Sequence, residues 1–229
     1  MHIHMEEMSI DDISDNVLYF ANSIDVESYS KTLKLAEQSK NIIPSFGIHP
    51  MRAAECNPTA KELSELIGNN HFVGEIGLDF FWVEDEKTYA QQKIQFIRQL
   101  EIVKKNNCVA SIHTKGAESE VLRLLRLYNI EKSIIHWYSG PVDLIADFLE
   151  IGCYFTIGPD ILKGSTIYKE IPTNRIFAET DNPTGMPWIT GDKAQKDDIK
   201  KIYKKLSEKL NISERDLILL IKDNFRGLH

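Results

Sequence analysis

Residues 72–79 read FVGEIGLD, a short apolar segment with one carboxylate inside it and a second at its end. Seven more short apolar segments recur along the chain, and the stretches between them have helical periodicity. This alternation is typical of a parallel sheet built from strand–helix units, and eight is the strand number of a TIM barrel. We therefore predict an α/β fold, a TIM (β/α)8 barrel. The predicted strands cover residues 1–5, 16–23, 42–49, 72–79, 108–114, 133–139, 152–158 and 176–181.

Helix signals occupy several of the intervening stretches. Pro58, Pro141 and Ser213 stand where a helix would begin. Only residues 6–15 separate the first two predicted strands, which leaves little room for a helix. No repeat, linker or low-complexity tract divides the chain, so we predict one domain over residues 1–229. The predicted helices cover residues 58–68, 86–106, 141–150, 193–210 and 213–222.

Composition excludes several classes of protein. With 229 residues, 42% of them hydrophobic and 27% charged, the chain is typical of a globular protein rather than a fibrous or disordered one. A net charge of -7 excludes a strong basic field over the whole surface. The three cysteines are widely spaced, which argues against a disulfide framework or a thiolate zinc site. No apolar run approaches the ~20 residues of a membrane span and no secretory signal is evident, so we expect a cytoplasmic protein.

Histidines and carboxylates fall in or at the ends of the predicted strands. His2 and His4 are two residues apart, so on an extended segment both side chains point to one face. In a TIM barrel, the carboxyl ends of the strands form the rim that carries the active site. The residues concerned are His2, His4, His49, Glu75, His113, His136 and Asp181.

Imidazole and carboxylate groups together bind divalent cations such as Zn, Mn, Fe or Mg. A buried carboxylate that bridges two ions would hold them about 3.5 to 4 Å apart, as in enzymes that displace phosphoryl groups. A single histidine in an apolar strand is more commonly a packed core residue. The prediction of a metal site therefore depends on repetition across several strands.

At these same positions the sequence resembles the TatD family of metal-dependent hydrolases, amidohydrolase-like TIM barrels known for metal-dependent DNase activity. The resemblance runs nearly from end to end, and GEIGLDFF is its most specific motif. The matching motifs are HIH at 2–4, GIHP at 47–50, GEIGLDFF at 74–81, IHTK at 112–115, HWYSG at 136–140, ETDNP at 179–183 and NF at 224–225.

The resemblance implies a site for two divalent metal ions (Mg, Mn or Zn), with Glu75 bridging them. Asp181 would also take a proton from the attacking water, which makes Asp181 and Glu75 the predicted catalytic residues. Histidine-rich sites favour Zn or Mn, whereas phosphodiester chemistry often uses Mg. The implied ligands are His2, His4 and Asp181 for one ion and His113 and His136 for the other, with Glu75 shared.

Asp79 and Glu179 stand two or four positions from a predicted ligand on the same strand face. That spacing suits groups that orient the ligating imidazoles from behind. A structural salt bridge or a cap is an equally open interpretation.

Four further residues are predicted to contact substrate. The GIHP motif of the family suggests that His49 contacts a phosphate. Lys115 stands where the family commonly has arginine, which keeps the charge but loses the bidentate geometry. Trp137 and Trp188 are predicted near the rim, as is Trp82, where they would stack on unpaired bases.

We predict a divalent-metal-dependent hydrolase of ester bonds, a deoxyribonuclease that trims the 3′ ends of single-stranded DNA as a monomer. The acidic balance of charge favours a strand end over long duplex. The alternative is a hydrolase of the same fold that acts on a small ester, amide or phosphate, which a closed, deep pocket would favour. Two rivals are a phosphoesterase of the polymerase-and-histidinol-phosphatase type, against which GEIGLD and ETDNP argue, and a metal-bound scaffold without catalysis.

Overall fold

The structure is a computed structural model that describes residues 1–68 and 70–228. Its described part contains seven β-strands, each of which lies within one of the predicted segments. The strands are β1 (Tyr19–Asn22), β2 (Ile42–Ser45), β3 (Phe72–Gly77), β4 (Val109–His113), β5 (Ser133–Ile135), β6 (Tyr154–Ile157) and β7 (Ile176–Ala178).

The strands are parallel and form a closed ring. β1 pairs with β2, and β3 to β7 pair in chain order. A bridge between Phe46 and Val73 joins β2 to β3. Ile3 bridges Ala21 of β1, and the N–H of the following residue donates to the carbonyl oxygen of Asn182, beyond β7, over 2.8 Å. The segment around Ile3 thus fills the eighth position, and the predicted TIM barrel is confirmed.

The predicted first strand over residues 1–5 is wrong as a continuous strand, because only Ile3 forms a bridge. The backbone of this segment divides its hydrogen bonds between two neighbours. The Ile3 carbonyl accepts from the Asn22 N–H, whereas the His2 carbonyl accepts from the Asp181 N–H. The segment therefore closes the barrel without forming a ladder with either neighbour.

Eight α-helices of the described residues accompany the strands, and all five predicted helices are among them. The helix predicted over residues 193–210 begins only at Asp198, and Pro141 lies just before its helix rather than inside it. As the spacing predicts, residues 6–15 hold only a short 3₁₀ helix, Ile10–Asp12. The α-helices are α1 (Val26–Ala36), α2 (Ala60–Ile67), α3 (Tyr89–Asn106), α4 (Glu118–Leu127), α5 (Asp143–Glu150), α6 (Gly185–Thr190), α7 (Asp198–Leu210) and α8 (Glu214–Gly227).

Local chemistry explains where these helices begin. Thr59 caps α2 by accepting a hydrogen bond from the Glu62 N–H, and Ser213 caps α8 by accepting one from the Asp216 N–H. Within residues 1–68 and 70–228, every helix is too short or too polar to cross a membrane.

The backbone around Glu75 departs from regular strand geometry. The register between β3 and β4 shifts after Val73, so that Gly74 and Glu75 together face Ser111. Such a bulge redirects side chains and occurs often beside active sites. Gly77 has φ +149°, and a Cβ there would collide with the carbonyl of the last β4 residue, so the second glycine of the motif is required by close packing.

Candidate metal centre

The predicted ligands come together in one cluster at the carboxyl ends of the strands, where TIM barrels place their active sites. All of them are buried or half-buried. They are Glu75 in β3, His113 at the end of β4, His136 after β5, Asp181 after β7, and His2 and His4 on either side of Ile3.

Glu75 lies at the centre of this cluster and directs its two carboxylate oxygens to two groups of histidines. Oε2 lies 3.2 Å from Nε2 of both His2 and His4. Oε1 lies 2.8 Å from His113 Nδ1 and 3.8 Å from His136 Nε2. One carboxylate is therefore shared between two sets of donor atoms, as a bridging ligand would be.

Asp181 joins His2 and His4, which form the first group. Its Oδ1 lies 3.5 Å from His4 Nε2 and 3.8 Å from His2 Nε2. This oxygen is buried and accepts no hydrogen bond from any described residue. Two ligand atoms about 2.1 Å from a tetrahedral ion are about 3.4 Å apart, which is close to the spacing observed here.

The remaining ring nitrogens of His2 and His4 are held from outside the cluster. His4 Nδ1 donates to the carbonyl oxygen of Asn22 over 2.8 Å, and His2 Nδ1 lies 2.8 Å from the Ser111 hydroxyl. A carbonyl only accepts, so the His4 proton sits on Nδ1 and Nε2 is the nitrogen available to a cation. These contacts orient both rings as the outer partners of metal-bound histidines do.

Asp79 and Glu179 contact His113 and His136, which form the second group, at the ring nitrogens that do not face Glu75. His113 Nε2 donates to Asp79 Oδ2 over 2.8 Å, and His136 Nδ1 lies 2.9 Å from Glu179 Oε1. Both carboxylates are fully buried. They occupy the places expected of groups that orient the imidazoles.

His49 adjoins the second group but carries its proton differently. It lies beyond β2, which ends at Ser45, rather than at the end of a strand as predicted. Its Nδ1 accepts a hydrogen bond from the Met51 N–H, so the neutral ring holds its proton on Nε2, 3.4 Å from Glu75 Oε1. Burial lowers the pKa of His49 and keeps the ring neutral. A protonated Nε2 donates hydrogen bonds and does not bind a metal ion.

Burial and charge act in opposite directions on the pKa values of the cluster. Burial lowers the pKa of His2 to about 4. Burial also lowers the pKa of His113, but hydrogen bonds and charge from Asp79 and Glu75 outweigh it and raise this pKa to about 9. Neighbouring carboxylates likewise overcome burial and raise the pKa of His136 to about 9. Without a cation, protonated imidazoles therefore offset the negative charge of the carboxylates in the cluster.

The donor set fits divalent cations. Buried imidazole nitrogens and carboxylate oxygens are the ligands that Zn and Mn share, and Mg accepts the carboxylates. Within residues 1–68 and 70–228, three sets of side chains each bring three ligand atoms within 4.8 Å of one another: His2, His136 and Asp181; His2, His4 and Glu75; and His49, Glu75 and His113. His113 and His136, the predicted pair for the second ion, fall in different sets.

The predicted substrate contacts Lys115, Trp137 and Trp188 lie outside the cluster. Lys115 Nζ donates to the Ser139 hydroxyl over 2.9 Å. Trp137 Nε1 donates to Asp160 Oδ1 over 2.9 Å, which fixes the indole beside the barrel mouth. Trp188 contacts Trp137 with ring centroids 5.6 Å apart and is 63% exposed.

The profile of the family described as TatD related DNase matches residues 2–229. The chain belongs to this family. Among relatives, the TatD-family chain is 26% identical to the human protein named deoxyribonuclease TATDN3 over 210 residues, covering 80% of this chain and 76% of the relative. It is 23% identical to the Bacillus subtilis protein named uncharacterized metal-dependent hydrolase YabD, covering 99% of this chain and 96% of the relative.

Solved structures of TatD proteins share the fold. The TatD homologue YJJV from Escherichia coli superposes with a TM-score of 0.79 at 20% identity, covering 91% of this chain and 85% of that one. A TatD-family hydrolase from Entamoeba histolytica gives a TM-score of 0.75 at 18% identity, covering 92% of this chain and 83% of that one.

Two buried glutamines of this TatD-family chain were not predicted to support the site. Gln92 Oε1 accepts from the Asp79 N–H, and its Nε2 donates to the Asp79 carbonyl. Gln99 makes the same pair of bonds to the backbone of Ile48, next to His49. The available signal was that both glutamines lie seven residues apart on α3, at positions where an amphipathic helix carries apolar side chains.

Proposed function

We propose that this chain is a divalent-metal-dependent phosphodiesterase that hydrolyses DNA and trims the 3′ ends of single strands. The observation that carries the proposal is the central carboxylate of Glu75, whose Oε2 faces His2 and His4 while its Oε1 faces His113. Relatives that are named as a deoxyribonuclease and as a metal-dependent hydrolase support the same chemistry.

The chain would hold two ions, Mg, Mn or Zn, with Glu75 between them. When bound, divalent ions lower the pKa of water towards 7 and stabilise charge on phosphoryl oxygens. The proposed ligands are His2, His4 and Asp181 for the first ion and His113 and His136 for the second.

The side chains of this protein would then act on the substrate directly. Asp181 Oδ1, which is buried and accepts no hydrogen bond from the described residues, is placed to take the proton of the attacking water. His49 Nε2 carries a proton and is placed to donate it in a hydrogen bond to a phosphoryl oxygen. Lys115, Trp137 and Trp188 are the proposed contacts to the rest of the strand.

A small ester, amide or phosphate as substrate is less favoured by the shape of the rim. Phe81, Trp82 and Trp188 each expose more than half of their surface around the barrel mouth. An open aromatic rim suits a polymer that extends beyond the site better than it suits an enclosed small molecule. The single-domain organisation, monomeric state and cytoplasmic location remain predictions from the sequence.

The test is gel-resolved degradation of end-labelled single-stranded and duplex DNA by purified protein with Mg, Mn or Zn added. Asp181→Asn and Glu75→Gln variants serve as controls against a contaminating nuclease. We expect the wild type to shorten single strands from the 3′ end and both variants to lose activity by roughly 1000-fold or more. Metal binding without DNA cleavage under every ion would refute the proposal.

A further inference from the structure

Exposed aromatic side chains form a continuous row that starts at the metal centre. Trp137 lies 6.4 Å from the ring of His136, Trp188 lies 5.6 Å from Trp137, and Trp82 lies 6.0 Å from Trp188, all between ring centroids. Phe81 continues the row at 4.8 Å from Trp82. Phe81 and Trp82 follow β3, Trp137 follows β5, and Trp188 lies on α6 after β7, so the fold assembles the row from separate parts of the chain.

The members of the row differ in how much ring surface they leave free. Trp137 packs against backbone, because a Cβ on Gly158 would come within 2.6 Å of its indole and a Cβ on Gly185 within 3.0 Å. Its Nε1 is also bonded to Asp160. Trp82 and Trp188 are instead 54% and 63% exposed. Trp137 is thus held in a fixed position and is only partly exposed, and most of the free aromatic surface belongs to Trp82 and Trp188.

A positive charge lies beside this free surface. Lys115 Nζ is 5.0 Å from the centroid of Phe81 and 6.0 Å from that of Trp82. Its hydrogen bond goes to the neutral hydroxyl of Ser139, and no carboxylate among the described residues forms an ion pair with it. Flat aromatic faces next to an uncompensated cation are the two features with which proteins hold single-stranded nucleic acid.

We propose that Trp82 and Trp188, whose rings meet edge to face at 86°, form a stacking platform on the rim beyond Trp137, where an unpaired base stacks on one indole and abuts the other, with Lys115 contacting a backbone phosphate beside it. The proposal rests on the proposed nuclease function and deepens it, because it makes Trp82 a specificity-determining residue. A base within a duplex has both faces covered by its neighbours, so the platform selects strands whose bases are free to leave the stack. A substrate without a base at that position loses the contact.

The test compares wild type, Trp82→Ala, Trp82→Phe and Trp188→Ala on single-stranded oligonucleotides of one length. Each oligonucleotide is either intact or carries one abasic residue, placed at successive positions from the cleaved bond. Leu219→Ala on α8 is the control, because Leu219 is 51% exposed on a helix that follows β7 rather than on the rim. Thermal unfolding of each variant checks that the fold is retained.

We expect both alanine variants to lower kcat/KM on intact DNA by roughly 5- to 150-fold, the range that corresponds to one base–aromatic stack. Trp82→Phe should keep most of the activity. At one abasic position the kcat/KM of the wild type should fall by a similar factor. On that oligonucleotide the alanine variants should have the same kcat/KM as the wild type, because the stacked base is already missing. Leu219→Ala should match the wild type on every substrate.

Two results separate the platform from the nuclease function. If the wild type cleaves DNA but the alanine variants lose the same factor on intact and abasic strands at every position, the platform is refuted and the nuclease function stands. If the wild type cleaves no oligonucleotide with any ion, both proposals fail.

Discussion

Asp79 Oδ2 accepts a hydrogen bond from His113 Nε2 over 2.8 Å within the buried centre. The other oxygen of the same carboxylate accepts from the backbone N–H groups of Phe81 and Trp82, over 2.9 and 2.6 Å. Asp79 therefore connects a proposed metal ligand to the loop that carries Phe81 and Trp82. A single side chain thus fixes both the orientation of the His113 ring and the backbone of the loop after β3.

Asp79→Asn should separate these two tasks. An amide keeps one oxygen to accept from Phe81 and Trp82 but loses the charge that faces His113. We expect affinity for the second ion to fall by about 10- to 100-fold, the usual effect of losing an outer partner of a metal-bound histidine, while the first ion binds as before. Calorimetric titration of metal-free protein with Mn²⁺ measures both steps. Asp85→Asn is the matched control, because the Asp85 carboxylate lies in the same loop and accepts from the Lys87 N–H at an exposed position. Equal isotherms for both variants would refute the role of Asp79.

Metal binding should release protons at neutral pH. The pKa of His113 and that of His136 are both raised to about 9, so both rings are protonated at pH 7 without metal. The pKa of His4 is also raised, since the carboxylates of Asp181 and Glu75, 3.5 and 3.2 Å from its Nε2, outweigh burial. Ligation requires neutral nitrogen, so full loading should release at least about two protons per chain. Calorimetry in buffers of different ionisation enthalpy counts them, and a heat independent of the buffer would contradict the ligand assignment.

The same groups set how the stability of the metal-free protein depends on pH. His113 and His136 hold protons more tightly in the folded state, so their contribution to stability is complete below pH 6.5 and is lost as the pH rises through about 9. The pKa of His2 is lowered to about 4, so its contribution is complete above pH 6.5 and is lost as the pH falls towards 4. The unfolding temperature without metal should therefore be highest near pH 6.5 and decline on both sides. A continuous rise from pH 6.5 to 9 would contradict the assigned protonation states.

Much of the fold was accessible from the sequence because apolar segments of strand length mark each barrel strand. Seven of the eight segments contain a strand, and the spacing after Met5 indicated the missing helix. The exception is residues 1–5, whose apolar pattern gives no sign that its hydrogen bonds divide between Asn22 on one side and Asp181 and Asn182 on the other rather than forming one ladder. A pattern of residue types encodes burial, but not which neighbour each backbone group will meet.

The centre was predictable for a different reason. Histidines and carboxylates in or at the ends of the strands of a parallel barrel converge on one rim, so a cluster that includes Glu75 and His113 could be predicted from strand position. The assignment of its members to two ions came from the family resemblance. The partners from outside the motifs could not be found this way. The Asn22 carbonyl that fixes His4 is a backbone group, and the free surface of Trp82 depends on how the loop after β3 packs against α6.

Gln92→Leu should destabilise the protein through the backbone of Asp79. The substitution removes both bonds to the Asp79 N–H and carbonyl, and each buried group left unpaired costs about 1–3 kcal/mol. We expect the free energy of unfolding in urea to fall by about 2–4 kcal/mol. Gln91→Leu is the matched control, since the neighbouring side chain is only partly buried and should change stability by less than about 0.5 kcal/mol. Equal stability of the two variants would show that these bonds contribute nothing.

His49 should behave as a hydrogen-bond donor and not as a ligand, although its Nε2 lies 3.4 Å from Glu75. The Met51 N–H occupies its Nδ1 lone pair, so the proton on Nε2 has no other place in the neutral ring. His49→Ala should therefore retain the metal content of the wild type by elemental analysis but lower kcat on DNA by about 100- to 1000-fold, the cost of losing one donor to a developing negative charge. His49→Gln, whose amide can still donate, should recover part of this loss. His4→Ala provides the contrast, because it removes a nitrogen that faces both carboxylates and should lower the metal content itself. Loss of metal from His49→Ala to the same extent as from His4→Ala would make His49 a ligand and overturn the assignment of its proton.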